Sequence, residues 1–391
     1  MENRILLLAD TSYAGMGPYV ANLVNSFSKN EEVFFFLVEN EQKYYSKQIK
    51  EEIKCKCTFF LKPENKVSSI VHLMLPILPP YYNSLLKVCK ANSIRHVHIL
   101  TGTSHPQLIR GLHNNNIKVI NTVHDLHPHE AKKSFLHMLK HHLFYYRVYQ
   151  ALEDSDAFVT NSINQNEELV KKTSKPVYFH SFPSLVTSDI IEGNQKPSEL
   201  AFDDYILYFG RIEEYKGVDL LYKSFYDNSE LSKREYLVIA GGGEIYFQRV
   251  SEEKDHHIQV INRFISDSEI KYLYAHAKCV VYPYKSATQS GVLSLAYYFN
   301  RPVLCSDVSF FKKIIEQSNG GLLFMTGNRI DLVNKLQLLC SIDCKDMKAN
   351  QTEYYDTNYR IEMIHSKLIE IYERSESYTH LRAHDTRINL V

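Results

Sequence analysis

Tyr205-Ile-Leu-Tyr-Phe-Gly210-Arg211-Ile-Glu-Glu-Tyr-Lys216-Gly217 is the stretch from which the fold is read. An apolar run ends at Gly210, and Arg211 follows at once. Lys216 stands five residues further on, beside Gly217, and Val218-Asp219-Leu220-Leu221 then opens a helical pattern. The order is that of a buried strand, a tight turn and a helix start, with two cations at the mouth. Converging backbone N–H groups and side-chain charge suit such a mouth to a phosphate group.

Working outward, short apolar runs recur on both sides. Before the stretch they lie near residues 5–10, 33–38, 58–61, 97–101, 119–124, 157–160 and 177–180. Beyond it they lie near 236–240, 258–261, 279–282, 302–305 and 321–324. Most lack strict alternation, as strands covered on both faces do. Helical patterns lie between them, near 19–28, 107–114, 218–227, 267–277, 291–300, 310–317 and 331–340. Alternation of this kind predicts doubly wound parallel sheets, and it occurs twice. The polar stretch 187–204 reads as a linker. The expected division is residues 1–186, the linker, 205–357, a helix over 358–376, and a disordered tail, 377–391. That tail lacks either periodicity and is similar to a reading frame run into foreign DNA.

Composition sets outer bounds. The chain has 391 residues, 44% hydrophobic and 23% charged, enough for two cores. Its formal net charge is zero, so a broad nucleic-acid footprint is not expected. Seven scattered cysteines fit reduced thiols in a cytosol better than zinc or redox motifs. No signal peptide and no bilayer-spanning run is read. The 28 tyrosines, with no tryptophan, have no functional reading at this level.

Five further stretches carry candidate chemistry. Gly15 and Gly17 follow the first strand and occupy two places of a dinucleotide fingerprint, but Val20 stands at the third. Glu39 is spaced as a ribose-binding acid. A cofactor site, a plain turn and a loop meeting a ligand in an interdomain cleft all remain open. Residues 124–129 place His124, Asp125, His127 and His129 where a strand becomes a loop, suited to facing a cleft or to holding a metal. Residues 131–152, with Lys132, Lys133 and Lys140 among aromatic and aliphatic residues, form a basic amphipathic stretch. It fits either an anionic membrane surface or a solvated helix face. Gln289, Ser290, Gly291 and Val292 form a polar loop and helix start, whose N–H groups would face the cleft. Gly241-Gly242-Gly243 lets backbone approach a ligand.

Taken in order, these stretches resemble the retaining glycosyltransferases of family 4, also called glycosyl transferases group 1. The resemblance rests on Gly15-Met-Gly17-Pro-Tyr-Val, Thr122-Val-His124-Asp125, Ser155 to Ser162, Phe209-Gly210-Arg211 through Tyr215-Lys216-Gly217, Ala240 to Gly243, and Arg301-Pro302-Val303. It implies a GT-B fold: two doubly wound Rossmann-like domains facing across a cleft, with a C-terminal helix returning toward the first. The implied activity is metal-independent, retaining transfer of a sugar from a nucleotide diphosphate, with no cofactor. The acceptor would be a glycan or lipid-linked glycan of a surface polysaccharide such as capsule or O-antigen. The location would be the cytoplasm or the inner face of the plasma membrane.

Carried over, Arg211 and Lys216 would hold the donor phosphates, and His124 would sit near the transferred sugar. Gly15, Gly17, Gly210, Gly242, Arg263, Gln289, Ser290, Gly291 and Val292 would complete the donor site. Asp125, His127 and His129 would lie on the acceptor side. The chain departs from the family at its paired glutamates: Ala287 and Leu295 stand there in one register, Thr288 and Ala296 in the other. That departure keeps a non-catalytic sugar-nucleotide or glycan-binding module in view, along with a GT-B epimerase.

Overall fold

The computed structural model describes residues 4–12, 16–62, 78–101, 105–124, 126, 146–251, 253, 256–287 and 290–388, with side chains as far as Ser375. The chain divides into two compact units. The first runs through Ser181 and takes up Ile361 onward; the second is Phe182–Arg360.

The first unit is built on β1 (Arg4–Ala9), β2 (Val33–Glu39), β3 (Cys57–Leu61), β4 (Ile94–Thr101), β5 (Lys118–Val123), β6 (Ala157–Thr160) and β7 (Val177–Phe179). Their order across the sheet is β3-β2-β1-β4-β5-β6-β7. Every pairing is parallel; Ile5 of β1 lies opposite Val33 on one side and His96 on the other. Ile5 through Ala9 are essentially inaccessible, which is why this strand carries no alternation. Reversal of strand order between β1 and β4 makes that pair the switch point, where carboxyl ends of strands leave a crevice.

The second unit repeats the plan with β8 (Tyr205–Phe209), β9 (Leu237–Ala240), β10 (Ile258–Ile261), β11 (Ala277–Tyr282), β12 (Val303–Ser306) and β13 (Gly321–Phe324). The order is β10-β9-β8-β11-β12-β13, again parallel, with the switch point between β8 and β11. This core takes in part of the tyrosine excess. Tyr205, Tyr208, Tyr222, Tyr274, Tyr282, Tyr284 and Tyr297 are buried within it, and hydroxyls such as Tyr205 Oη to Leu273 O (2.9 Å) find partners inside. A phenol fills the volume of a large apolar side chain while carrying a polar tip.

Two expectations change. Residues 187–204 are not a loose linker but a strap on the second unit. The Thr187 side chain caps the helix Ser188–Glu192 and donates to Asp267 (3.0 Å). Ile190 and Leu200 are buried, and Gln195 N donates to Ser268 O (2.9 Å). These polar residues are spent on partners some 70 positions away, at a separation that a local pattern does not reveal. The tail expected to be disordered is also helical: Ile361–Ile388 is one continuous helix. Its first turns are fixed to the first unit by buried Ile364, Leu368, Ile371 and Tyr372, and by His365 on Glu31 (2.8 Å). Extending a nucleated helix adds one hydrogen bond for each residue fixed, so weak periodicity does not stop it.

Candidate functional site

In the second unit the site grows from the turn after β8. Tyr208 Oη donates to Arg211 O (2.7 Å), and Gly210 N donates to Ala240 O (3.0 Å). These bonds hold the chain as it leaves the sheet. Ile212 N then reaches Gly242 O (3.0 Å), and Ile212 bridges to Gly243, so the loops after β8 and β9 run side by side. The approach is too close for a side chain: a Cβ on Gly241 would lie 2.0 Å from Gly210 O. Gly242 also abuts the backbone of Arg263 and Phe264 after β10.

At the far end of the turn, Gly217 has φ +64 and a Cβ there would lie 1.9 Å from Pro283 O. Only glycine serves, both for the left-handed conformation and for the contact. The contact joins the loop after β8 to the loop after β11, and Lys285 N donating to Tyr215 O (2.7 Å) repeats the join. Lys216 is thereby set at the switch point. Its Nζ lies 5.7 Å from the Tyr215 ring centroid and 5.5 Å from that of Tyr284. Tyr284 is buried, and among the described residues its hydroxyl has no hydrogen-bond partner. Among the described residues Lys216 forms no ion pair, so its charge is held by ring faces and open to an anion. Arg211 is half exposed and its guanidinium rests on Glu213 (3.0 Å). The structure thus brings the two expected cations to one strand end, and adds Glu213, Tyr215 and Tyr284, which sequence reasoning did not single out.

Ser290, Gly291 and Val292 lie at the carboxyl end of β11. Val292 opens the helix Val292–Tyr298, its carbonyl accepting from Tyr282 Oη (2.9 Å), and Gly291 packs against Leu185. Gln289 lies outside the described residues. Of the positions where the family places glutamates, Leu295 and Ala296 are fully buried.

Arg263, expected at the donor, is paired in the structure with two carboxylates. Nε and one terminal nitrogen bind Glu199 (2.7 and 2.8 Å), and both terminal nitrogens bind Glu269 (2.8 and 2.7 Å). Arg263 holds the Glu199 carboxyl down at about 2. With its fork satisfied by two carboxylates, Arg263 clamps the strap 187–204 to the helix Asp267–Ala275.

In the first unit, His124 follows β5. Its Nε2–H donates to Leu100 O (2.7 Å), and the Tyr19 ring meets it edge-on at 5.6 Å. Gln165 fixes the backbone, donating to His124 O (2.8 Å) and accepting from Leu126 N (3.0 Å). Two more histidines lie behind. His98 sits between Thr122 Oγ1 and Tyr372 Oη, at 2.8 Å each, and His180 contacts Asn161. Burial pushes these imidazoles down to about 3 and about 4, so both are neutral core groups. Gly17 packs on the Tyr44 ring, where a Cβ would lie 2.8 Å from Cε1. Glu39 accepts from Ser46 N and Oγ (3.0 and 2.9 Å), which accounts for its carboxylate without a ribose. Gly15, Asp125, His127, His129 and most of 131–152, including Lys132, Lys133 and Lys140, lie outside the described residues.

Two Rossmann-like domains with these switch points define the GT-B class. The model of the family described as glycosyl transferases group 1 matches residues 192–357, most of the second unit. A 150-residue stretch is 27% identical to a glycogen synthase of Thermus thermophilus, covering 38% of this chain and 34% of that protein's length. The fold is similar to a sucrose-phosphate synthase from Thermosynechococcus elongatus, with TM-score 0.68 and 14% identity over 96% of this chain and 100% of that one. It is also similar to Anabaena Alr3699/HepE in complex with UDP-glucose, with TM-score 0.67 and 12% identity over 95% and 99%.

Proposed function

We propose that the protein transfers a sugar, with retention and without a metal, from a nucleotide diphosphate to a glycan or lipid-linked acceptor of a surface polysaccharide. One observation carries the reading: Arg211 and Lys216 are set at the carboxyl end of β8 by a turn that tolerates no side chain at Gly217. As the bond from the sugar carbon to the diphosphate oxygen breaks, its electron pair stays on the diphosphate. Two fixed cations are placed to stabilise that growing charge, Arg as a planar fork and Lys as a point charge. The UDP-glucose bound to Alr3699/HepE, which shares the fold, supports a nucleotide-diphosphate sugar as donor. His124 on the first unit is assigned to the sugar side, where Leu100 O and Gln165 hold it in place.

The test is Arg211→Ala in a donor-consumption assay against a panel of UDP-, GDP- and ADP-sugars with glycan acceptors. Removing a preorganised charge contact of this kind is expected to slow turnover by about 10²–10³-fold, or about 3–4 kcal/mol. Near-normal turnover would sink the assignment. A second reading is favoured by one observation, that buried Leu295 and Ala296 supply no carboxylate to a sugar or ribose. A non-catalytic module would bind a sugar nucleotide in the same assay and never consume it.

A further inference from the structure

The switch point of the first unit holds a polar group that the proposed donor contacts do not include. Asp10 is the residue after β1, and its N–H donates to Thr101 Oγ1 (3.1 Å) at the end of β4. Its carboxylate is 13% exposed. Oδ2 accepts from Tyr81 Oη (3.3 Å) and lies 3.9 Å from Nε2 of His105, itself 19% exposed. Among the described residues Oδ1 accepts no hydrogen bond, and neither Arg nor Lys forms an ion pair with this carboxylate. Tyr81 is fixed by packing against Phe36 and Phe60. Tyr45 Oη holds the next carbonyl, Thr11 O (2.5 Å), and the Tyr44 ring backs Gly17. A largely desolvated carboxylate with an imidazole, a phenol and tyrosine rings around one strand end thus lies where open α/β sheets take ligands.

The chemistry of that corner selects its ligand. An anion meets the carboxylate and is repelled. A sugar ring fits each part: its hydroxyls donate to carboxylate oxygens and accept from phenol or imidazole, and its C–H face covers aromatic rings. We propose that Asp10 and His105 form the polar floor of a sugar-binding crevice in the first unit, with a hydroxyl of the acceptor glycan donating to the Asp10 carboxylate. The word acceptor rests on the proposed transferase function; the crevice itself does not. Burial pushes the carboxyl up to about 6, against the longer-range pull of Lys62 and the Tyr81 hydroxyl, so the binding form gains population as pH rises through 6. The groups facing it are Tyr81, His105, Lys62 and, one residue along, Tyr45.

Saturation-transfer NMR on the full chain tests this, with the methyl α-glycosides of glucose, galactose, mannose and N-acetylglucosamine as probes. UDP binding is measured on the same samples. At least one glycoside is expected to receive saturation from the wild type. Asp10→Asn should weaken it about 10-fold or more, as loss of a hydrogen bond to a charged group does. Wild-type affinity should fall between pH 7.5 and 5, while Asp10→Asn flattens the profile and His105→Gln retains the slope. No glycoside binding to the wild type, or equal binding to Asp10→Asn, overturns the proposal. If glycosides bind through Asp10 while UDP and UDP-sugars do not, the donor reading fails and the crevice stands; the reverse pattern removes the crevice alone.

Discussion

Asp10→Asn should stabilise the first unit as pH rises, and the size of the effect follows from the carboxylate's surroundings. In the unfolded chain an aspartate loses its proton near 3.8; in the fold, burial holds the proton until about 6. Between those values the folded state binds the proton more tightly than the unfolded state does. Stability therefore falls as pH rises through this window, and the loss is complete above it. At about 1.4 kcal/mol per pH unit the deficit at neutral pH is about 3 kcal/mol. Asparagine is nearly isosteric and carries no charge, so the variant escapes the deficit. The quantity to measure is the stability of Asp10→Asn minus that of the wild type, by urea unfolding of the full chain followed by circular dichroism, at pH 4 and pH 7.5. It should be about 2.5 kcal/mol more favourable at pH 7.5, since at pH 4 the unfolded aspartate is already more than half ionised. Altered contacts of the amide with Tyr81 enter at both pH values and cancel, as does the acid sensitivity of the buried histidines. A difference that is flat with pH, or that falls as pH rises, refutes the reasoning. A gain in stability coupled to a loss of glycoside binding is what a group retained for binding should show, since such sites trade stability for function.

Glu213→Gln should tighten UDP-sugar binding by about 1.5- to 5-fold in calorimetry, because the half-exposed Arg211–Glu213 pair (3.0 Å) competes with the diphosphate by the ~0.2–1 kcal/mol typical of such pairs. Gly217→Ala should destabilise the second unit by about 2 kcal/mol or more and abolish UDP binding, since it adds a left-handed alanine and a 1.9 Å contact with Pro283 O; an unfolding curve that overlays the wild type would contradict this. Tyr372→Phe should cost the first unit about 1–3 kcal/mol at pH 7.5, measured by urea unfolding, by stripping buried His98 Nδ1 of its 2.8 Å partner. Because the folded imidazoles of His98 and His180 are depressed below the ordinary 6.5, the unfolded chain binds more protons in acid. The first unit should then lose stability progressively as pH falls from about 6.5 toward 4, which a series of unfolding midpoints across that range would show.

Much of this protein was legible one dimension at a time. Strands such as Ile5–Ala9 and Tyr205–Phe209 announce themselves because both faces of a parallel sheet are covered, so the run is apolar throughout. Arg211 and Lys216 could be singled out because strand, glycine, cation and helix follow one another within a dozen residues. What closes on itself over long separations was not legible. The strap 187–204 looked like a linker because its polar residues meet Gln259, Arg263 and Ser268 only in the fold. Arg263 looked available for a donor because nothing local shows Glu199 and Glu269 already filling its fork. Asp10 stood only as the end of an apolar run; its place at the strand end, the Tyr81 phenol and the His105 imidazole make it a desolvated carboxylate. Sequence by itself determined the two parallel sheets and the cations at a strand end, because hydrophobic periodicity and turn chemistry are local properties of the chain. Only tertiary structure decided which charges are already neutralised and which polar groups sit away from water, because desolvation and pairing depend on neighbours that the chain brings together from a distance.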